Sequence, residues 1–270
     1  MIAWMSNAVE VKRISKKLGS FMLRDITFSC NEGEVFGILG PNGAGKTTTL
    51  RMIAGLIKPD SGEVGVFGEE PDRVREHIGY LPEERGLYRK WKVMDVLNYF
   101  AELKGKAHPE YWLEKFGMME YANKKIEELS KGLQQKIQLI IAVQHDPKLL
   151  ILDEPFSGLD AVNINLVMEL VKEMKERKKC IIISTHILNL AERLCDRVLL
   201  IDRGREVLSG EVDELSDEEV HEVEYRKNGG IVREITNRSL KDLIELEYEI
   251  LSYRKRKLTL EEIFLREVSK

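Results

Sequence analysis

Apolar residues along the chain recur in two registers. Val9, Val11 and Ile14, then Leu23, Ile26 and Phe28, repeat at the spacing of strands with one buried face. Glu32-Gly33-Glu34 predicts a turn, and the unbroken apolar run 35–39 predicts a strand buried on both faces. Residues 47–56 carry a helical pattern. So do residues 92–104, where Val93, Val96, Leu97, Phe100 and Leu103 share one side, and the helical pattern continues to about residue 144. Further short apolar runs stand at 149–152, 181–184 and 198–201. Leu166, Leu170, Val171 and Met174 predict a helix between the first two. Strands alternating with helices imply an α/β fold with a parallel sheet covered on both faces.

The pattern changes near Gly210. Val220, Val223 and Tyr225 predict a strand, Gly229-Gly230 a turn, and residues 231–235 a second strand. Two helix starts follow. The second, Thr259-Leu260-Glu261-Glu262, has capping-box spacing. We divide the chain into a domain over 1–211, with a helical insertion at about 88–145, and a small α+β appendage over 212–270.

Composition narrows the classes. The chain is 43% hydrophobic and 33% charged with a net charge of −4, which fits a solvated globular protein and argues against a general nucleic-acid binder. The longest apolar runs, 139–143 and 180–183, fall far short of the ~20 residues that span a bilayer. Residues 1–7 show no signal-peptide pattern. Cys30, Cys180 and Cys195 are widely spaced and read as buried free thiols of a reducing compartment.

Two motifs carry chemistry. Gly40-Pro41-Asn42-Gly43-Ala44-Gly45-Lys46-Thr47-Thr48 contains GxxxxGK[ST] between a predicted strand and helix. Glycines let backbone N–H groups turn in around phosphate oxygens, Lys46 reaches the β- and γ-phosphates, and Thr47 ligates Mg²⁺. Asp153 and Glu154 end the run 149–152, where α/β sheets bind ligands. Asp153 is the expected Mg²⁺ holder, and Glu154 the group that orients or deprotonates the attacking water. Both cofactors of nucleotide hydrolysis, ATP and Mg²⁺, are thus expected.

The order of further motifs, Leu129-Ser130-Lys131-Gly132-Leu133-Gln134-Gln135, Asp153-Glu154-Pro155, Ser157-Gly158-Leu159-Asp160 and Ser184-Thr185-His186, resembles the ATP-binding cassette of ABC transporters over residues 9–211. The resemblance implies a P-loop cassette with a mixed sheet core, an antiparallel β subdomain and a helical insertion. It implies two cassettes, in a homo- or heterodimer, sandwiching two ATPs head to tail. Each ATP would then touch the phosphate loop of one subunit and Ser130 and Gly132 of the other. Asp160 corresponds to the family's interface aspartate and His186 to its γ-phosphate histidine. His77, His108, His145 and His221 have no such setting.

The sequence departs from the family pattern in three places. Glu83 follows 78–82 where glutamine is usual, giving a carboxylate able to ligate Mg²⁺ or to act in catalysis. The stretch 80–88 resembles export-type cassettes that carry glutamate there. Lys131 and Leu133 replace the commonest signature residues. Leu18 stands where an adenine-stacking aromatic is expected, with Phe21 as a substitute, which implies loose base selectivity. The tail 258–268 resembles the end of an accessory domain found on export cassettes.

The implied function is the ATP-hydrolysing subunit of an ABC transporter, an exporter by subgroup resemblance. It would lie at the cytoplasmic face of the membrane, held there by integral permease subunits. The alternatives are a soluble cassette ATPase of DNA or translation processes, and a weakly active regulatory cassette.

Overall fold

The computed structural model describes residues 7–84, 86–105, 107–227, 230–236, 240–244 and 249–268. Arg85, within the export-type stretch, and Gly229, in the expected turn, lie outside the described residues. Contacts divide the chain into two units, 1–209 and 210–270.

The first unit opens with β1 (Val9–Leu18) and β2 (Phe21–Cys30), paired antiparallel. β3 (Val35–Leu39) is buried at every position and runs into the glycine loop. α1 (Lys46–Ile53) leaves that loop and stops earlier than its pattern suggests, because Gly55 turns into the left-handed region at φ 69°. β4 (Ser61–Val66) then pairs antiparallel with the free side of β1. It escaped the hydrophobic reading because its first three residues are exposed and two of its six are glycine or serine at the exposed end.

β5 (Ile78–Leu81) precedes the helical insertion of α2 (Val93–Lys104), α3 (Pro109–Lys115) and α4 (Lys131–Val143). Ser130 caps α4 by accepting the Leu133 N–H at 3.3 Å, and Ile137 and Ile140 anchor its buried face. The side-chain amide of Gln144 donates to the Leu97 carbonyl at 3.0 Å, joining the end of α4 to α2 in the interior. The chain continues through β6 (Leu149–Asp153), α5 (Ala161–Glu176), β7 (Cys180–Thr185), α6 (Leu188–Leu194), β8 (Arg197–Asp202) and β9 (Arg205–Glu211).

The core sheet has the order β5-β6-β7-β3-β8-β9, and its first five strands are parallel. β3, β6 and β7 are buried along their whole length, which is why they read as unbroken apolar runs. The register pairs Leu81 with Leu152, Asp153 with Ser184, and Leu39 with Thr185. The carboxyl ends of four strands therefore meet at one edge. The loops leaving that edge carry the glycine motif, Glu83, Glu154 and His186.

The second unit holds α7 (Val212–Leu215), β10 (Glu219–Lys227), β11 (Gly230–Thr236), α8 (Leu240–Ile244), β12 (Glu249–Lys257) and α9 (Leu260–Val268). Its sheet is antiparallel in the order β11-β10-β12, around Val223, Tyr225 and Leu243. β12 was not legible in the sequence. Its apolar contacts, Ile250 and Tyr253, are three residues apart, and a register shift opposite Glu224 and Tyr225 turns both toward the core. Thr259 and Glu262 form the reciprocal cap of α9: Thr259 N–H donates to Glu262 at 2.9 Å, and Glu262 N–H to the Thr259 hydroxyl at 3.3 Å. Two Arg256 contacts and this cap hold the Glu262 carboxyl down at about 2.

Two outcomes test this packing. Ile151→Ala, at a fully buried centre of β6, should lower unfolding free energy by about 2–5 kcal/mol in urea titration. His145 is half-buried beside Ile78, and that burial lowers its pKa from 6.5 to about 4, so it is neutral when folded at neutral pH. The unfolded chain binds the extra proton between those values. Its contribution is complete above pH 6.5 and is lost as pH falls toward 4. A His145→Gln protein should show a flatter decline of urea midpoint over that window than the parent.

Candidate active site

The glycine loop takes its shape from its glycines. Gly40, Gly43 and Gly45 have φ values of 149°, 78° and 112°. A Cβ at Gly40 would stand 2.0 Å from the Ile201 carbonyl oxygen, and one at Gly45 2.7 Å from Leu23 Cδ1. Side chains are excluded there, so backbone N–H groups line the loop. α1 starts at once, with neither a side-chain cap nor an acidic residue in its first turn. Its free amides suit an anion.

Lys46 Nζ donates to the carbonyls of Gly40 at 2.8 Å and Pro41 at 3.2 Å. It also lies 3.0 Å from Glu154 Oε1, in an ion pair whose side chains are 5% and 4% exposed. Such a buried pair is held by each partner, and removing one strands the other charge at a cost of about 3–5 kcal/mol.

Asp153 is 1% exposed. Ser184 donates its hydroxyl to Asp153 Oδ1 at 2.6 Å and Thr47 donates to the same oxygen at 3.1 Å, while the Tyr80 hydroxyl stands 3.4 Å from Oδ2. Burial raises the Asp153 pKa, opposed by the Ser184 and Thr47 hydrogen bonds. Burial, with Asp153 second, pushes Tyr80 up to about 12. Tyr80 and Ser184 were not singled out from the sequence. The spacing of each inside its strand motif was the available signal.

Glu154 follows in the left-handed region at φ 49°, rare for a residue with a side chain. Its N–H donates to the Ser184 carbonyl and hydroxyl, both at 3.1 Å, which holds the turn. The turn aims one carboxylate oxygen at Lys46 and the other at His186 Nδ1, 2.9 Å away.

One cleft of about 440 Å³ is lined by Asn42, Gly43, Ala44, Gly45, Lys46, Thr47, Thr48, Glu83 and Glu154. Leu18 and Phe21 line it too. Leu18 is 45% exposed, and the edge of Phe21 lies close to Gly45. The hard oxygen set of Thr47, Asp153 and Glu83 has the chemistry of a Mg²⁺ site, and the loop has that of a phosphate site. Ser130, Gly132 and Asp160 are not in this cleft. With Gly158 and Asn163 they line another, of about 260 Å³. There Asp160 caps α5 by accepting the Asn163 N–H at 2.9 Å.

A glycine phosphate loop, a strand-end carboxylate pair and a parallel sheet of this order define a P-loop nucleotide hydrolase. The ABC transporter family matches residues 23–157. An uncharacterised ABC transporter ATP-binding protein of Methanocaldococcus jannaschii is 47% identical over 236 residues, 85% of this chain and 87% of its own. The linearmycin resistance ATP-binding protein of Bacillus subtilis is 37% identical over 213 residues, 75% of this chain and 68% of its own. A solved ATP-binding subunit of an ABC transporter superposes with a TM-score of 0.76 at 28% identity, covering 97% of this chain and 99% of that one. A dimeric ABC transporter cassette shares the fold at a TM-score of 0.68 and 24% identity, covering 76% and 98% of the two chains. The chain belongs to the ABC transporter family, as an ATP-binding subunit. It is an ATPase.

Gly40→Ala should abolish ATP binding in isothermal titration, because the loop cannot keep its path past the Ile201 carbonyl. The same protein should lose about 2 kcal/mol or more in urea unfolding.

Proposed function

We propose that this subunit powers export by ATP-driven closure of a cassette dimer. The observation that supports the reading is the division of the expected site between two clefts. The phosphate loop, Glu83 and Glu154 line one, and Ser130, Gly132 and Asp160 line the other. A second chain brought head to tail would set its Ser130 and Gly132 against the phosphate loop of the first. A solved cassette of this fold is dimeric. ATP then binds the closed pair better than the open one, and shifts the population by that difference in affinity.

Within each half-site, the residues divide the work. Lys46 has carbonyl and carboxylate partners within the chain and would exchange them for β- and γ-phosphate oxygens. That exchange frees Glu154, whose carboxylate then orients the attacking water and accepts its proton. His186, on the other oxygen of Glu154, fixes the carboxylate rotamer and would face the γ-phosphate. Thr47, Asp153 and Glu83 would hold Mg²⁺, which neutralises charge on the phosphates. Phe21 supplies the aromatic wall at the base end that Leu18 lacks.

No helix among the described residues is long and apolar enough to cross a membrane. We assign membrane passage to permease partners, with this subunit peripheral on the cytoplasmic face. Tyr88 and Trp91, exposed and packed on the half-buried Tyr99, lie where the helical insertion begins and supply a docking surface. Relatives named for linearmycin resistance and as a probable multidrug transporter support the export reading. We read residues 1–211 as the cassette and 212–270 as an accessory domain of export cassettes. The alternatives, a nucleic-acid or ribosome ATPase and a regulatory cassette, have no geometric support of this kind.

Glu154→Gln should bind ATP and form a stable dimer in size-exclusion chromatography with ATP, while turnover falls by about 10²-fold or more. Wild-type turnover in that protein would remove Glu154 from the chemistry. A monomer with ATP bound would remove the closure mechanism.

A further inference from the structure

Far from the cleft, two sulfur atoms lie closer than separate thiols pack. Cys30 ends β2 and Cys180 begins β7, 150 residues apart in sequence, yet the Cys180 thiol points at Cys30 Sγ from 3.1 Å. Non-bonded carbons settle about 3.5–4.0 Å apart, and sulfur is larger. A disulfide bond is about 2.05 Å long, so about 1 Å of sulfur movement separates this pair from a covalent link.

The backbone holds the two residues together independently of the sulfurs. Gly33 N–H donates to the Lys179 carbonyl at 3.1 Å and Ile181 N–H to the Glu34 carbonyl at 2.9 Å, which brackets Cys180 on both sides. Both cysteines are fully buried. Burial, with Cys180 adding to it, pushes the Cys30 thiol well up, so Cys30 rests as a neutral thiol. Cys195 is also buried, and among the described residues it makes no sulfur–sulfur contact.

We propose that Cys30 and Cys180 form a two-electron redox site, oxidised to an intramolecular disulfide that ties the antiparallel sheet of β1, β2 and β4 to the core sheet. Two S–H bonds break, one S–S bond forms, and two protons and two electrons pass to a small thiol oxidant. With diamide, the N=N bond takes both and becomes a hydrazine. Full burial leaves no room for a lasting conjugated thiol, so the oxidant meets the pair in transient openings and the internal bond is the product the closed fold accommodates. The bond closes a long loop, which restricts the unfolded chain most. It sits at the opposite end of β7 from Ser184 and Thr185, so it changes stability and leaves the ATPase rate as it was.

The test is to expose the folded full chain to diamide overnight, quench it in denaturant with iodoacetamide, and measure intact mass. We expect one alkylated cysteine, Cys195, against three in a reduced control, with peptide mapping joining Cys30 to Cys180. The thermal midpoint should rise by about 5–15 °C. Cys195→Ser should keep the link and the shift, while Cys30→Ser and Cys180→Ser should lose both. Three alkylated cysteines after exposure, a bond that includes Cys195, or disulfide-linked dimers would each overturn the proposal. The wild-type mass alone decides it if a variant fails to fold.

Discussion

A carboxylate taken out of water at the end of β6 organises this protein. Asp153 is 1% exposed, and its charge is tolerated because hydroxyls from three elements converge on it. Thr47 comes from α1, Ser184 from β7 and Tyr80 from β5. A buried acceptor left without donors costs about 1–3 kcal/mol, and more when charged. The three elements are thereby held in register at the edge where the glycine loop begins. The parallel ladder makes this possible, since only strands running the same way deliver all their carboxyl ends to one edge.

Glu154 depends on the same arrangement. Its left-handed backbone is held by two acceptors on Ser184, the residue that also donates to Asp153. One serine thus fixes the depth of one carboxylate and the direction of the next. The buried contact of Glu154 with Lys46 on one side and His186 on the other follows from that turn.

Much of this was legible in the sequence, for physical reasons that differ by region. β3, β6 and β7 announce themselves because both faces are buried and no polar residue interrupts them. The glycine loop is legible because a side chain at Gly40 would collide with the Ile201 backbone. β4 and β12 were hidden, the first by exposure and glycine, the second by a bulge that breaks the period of two and by four consecutive basic residues at 254–257. Tyr80 and Ser184 were hidden for another reason. Their importance lies in which carboxylate they reach across strands, a fact of register that one strand's sequence does not contain. The closeness of Cys30 and Cys180 is of the same kind.

The side chain of Gln135, one turn into α4, donates to the Pro155 carbonyl at 2.7 Å in the interior. Pro155 directly follows Glu154. This bond pins the near end of the helical arm to the segment that carries the hydrolytic carboxylate. Any swing of the arm about that point acts as a lever with its fulcrum beside the bond being broken. Displacement is then smallest at the chemistry and grows with distance from it, so the arm can turn about the site without pulling the carboxylate out of place.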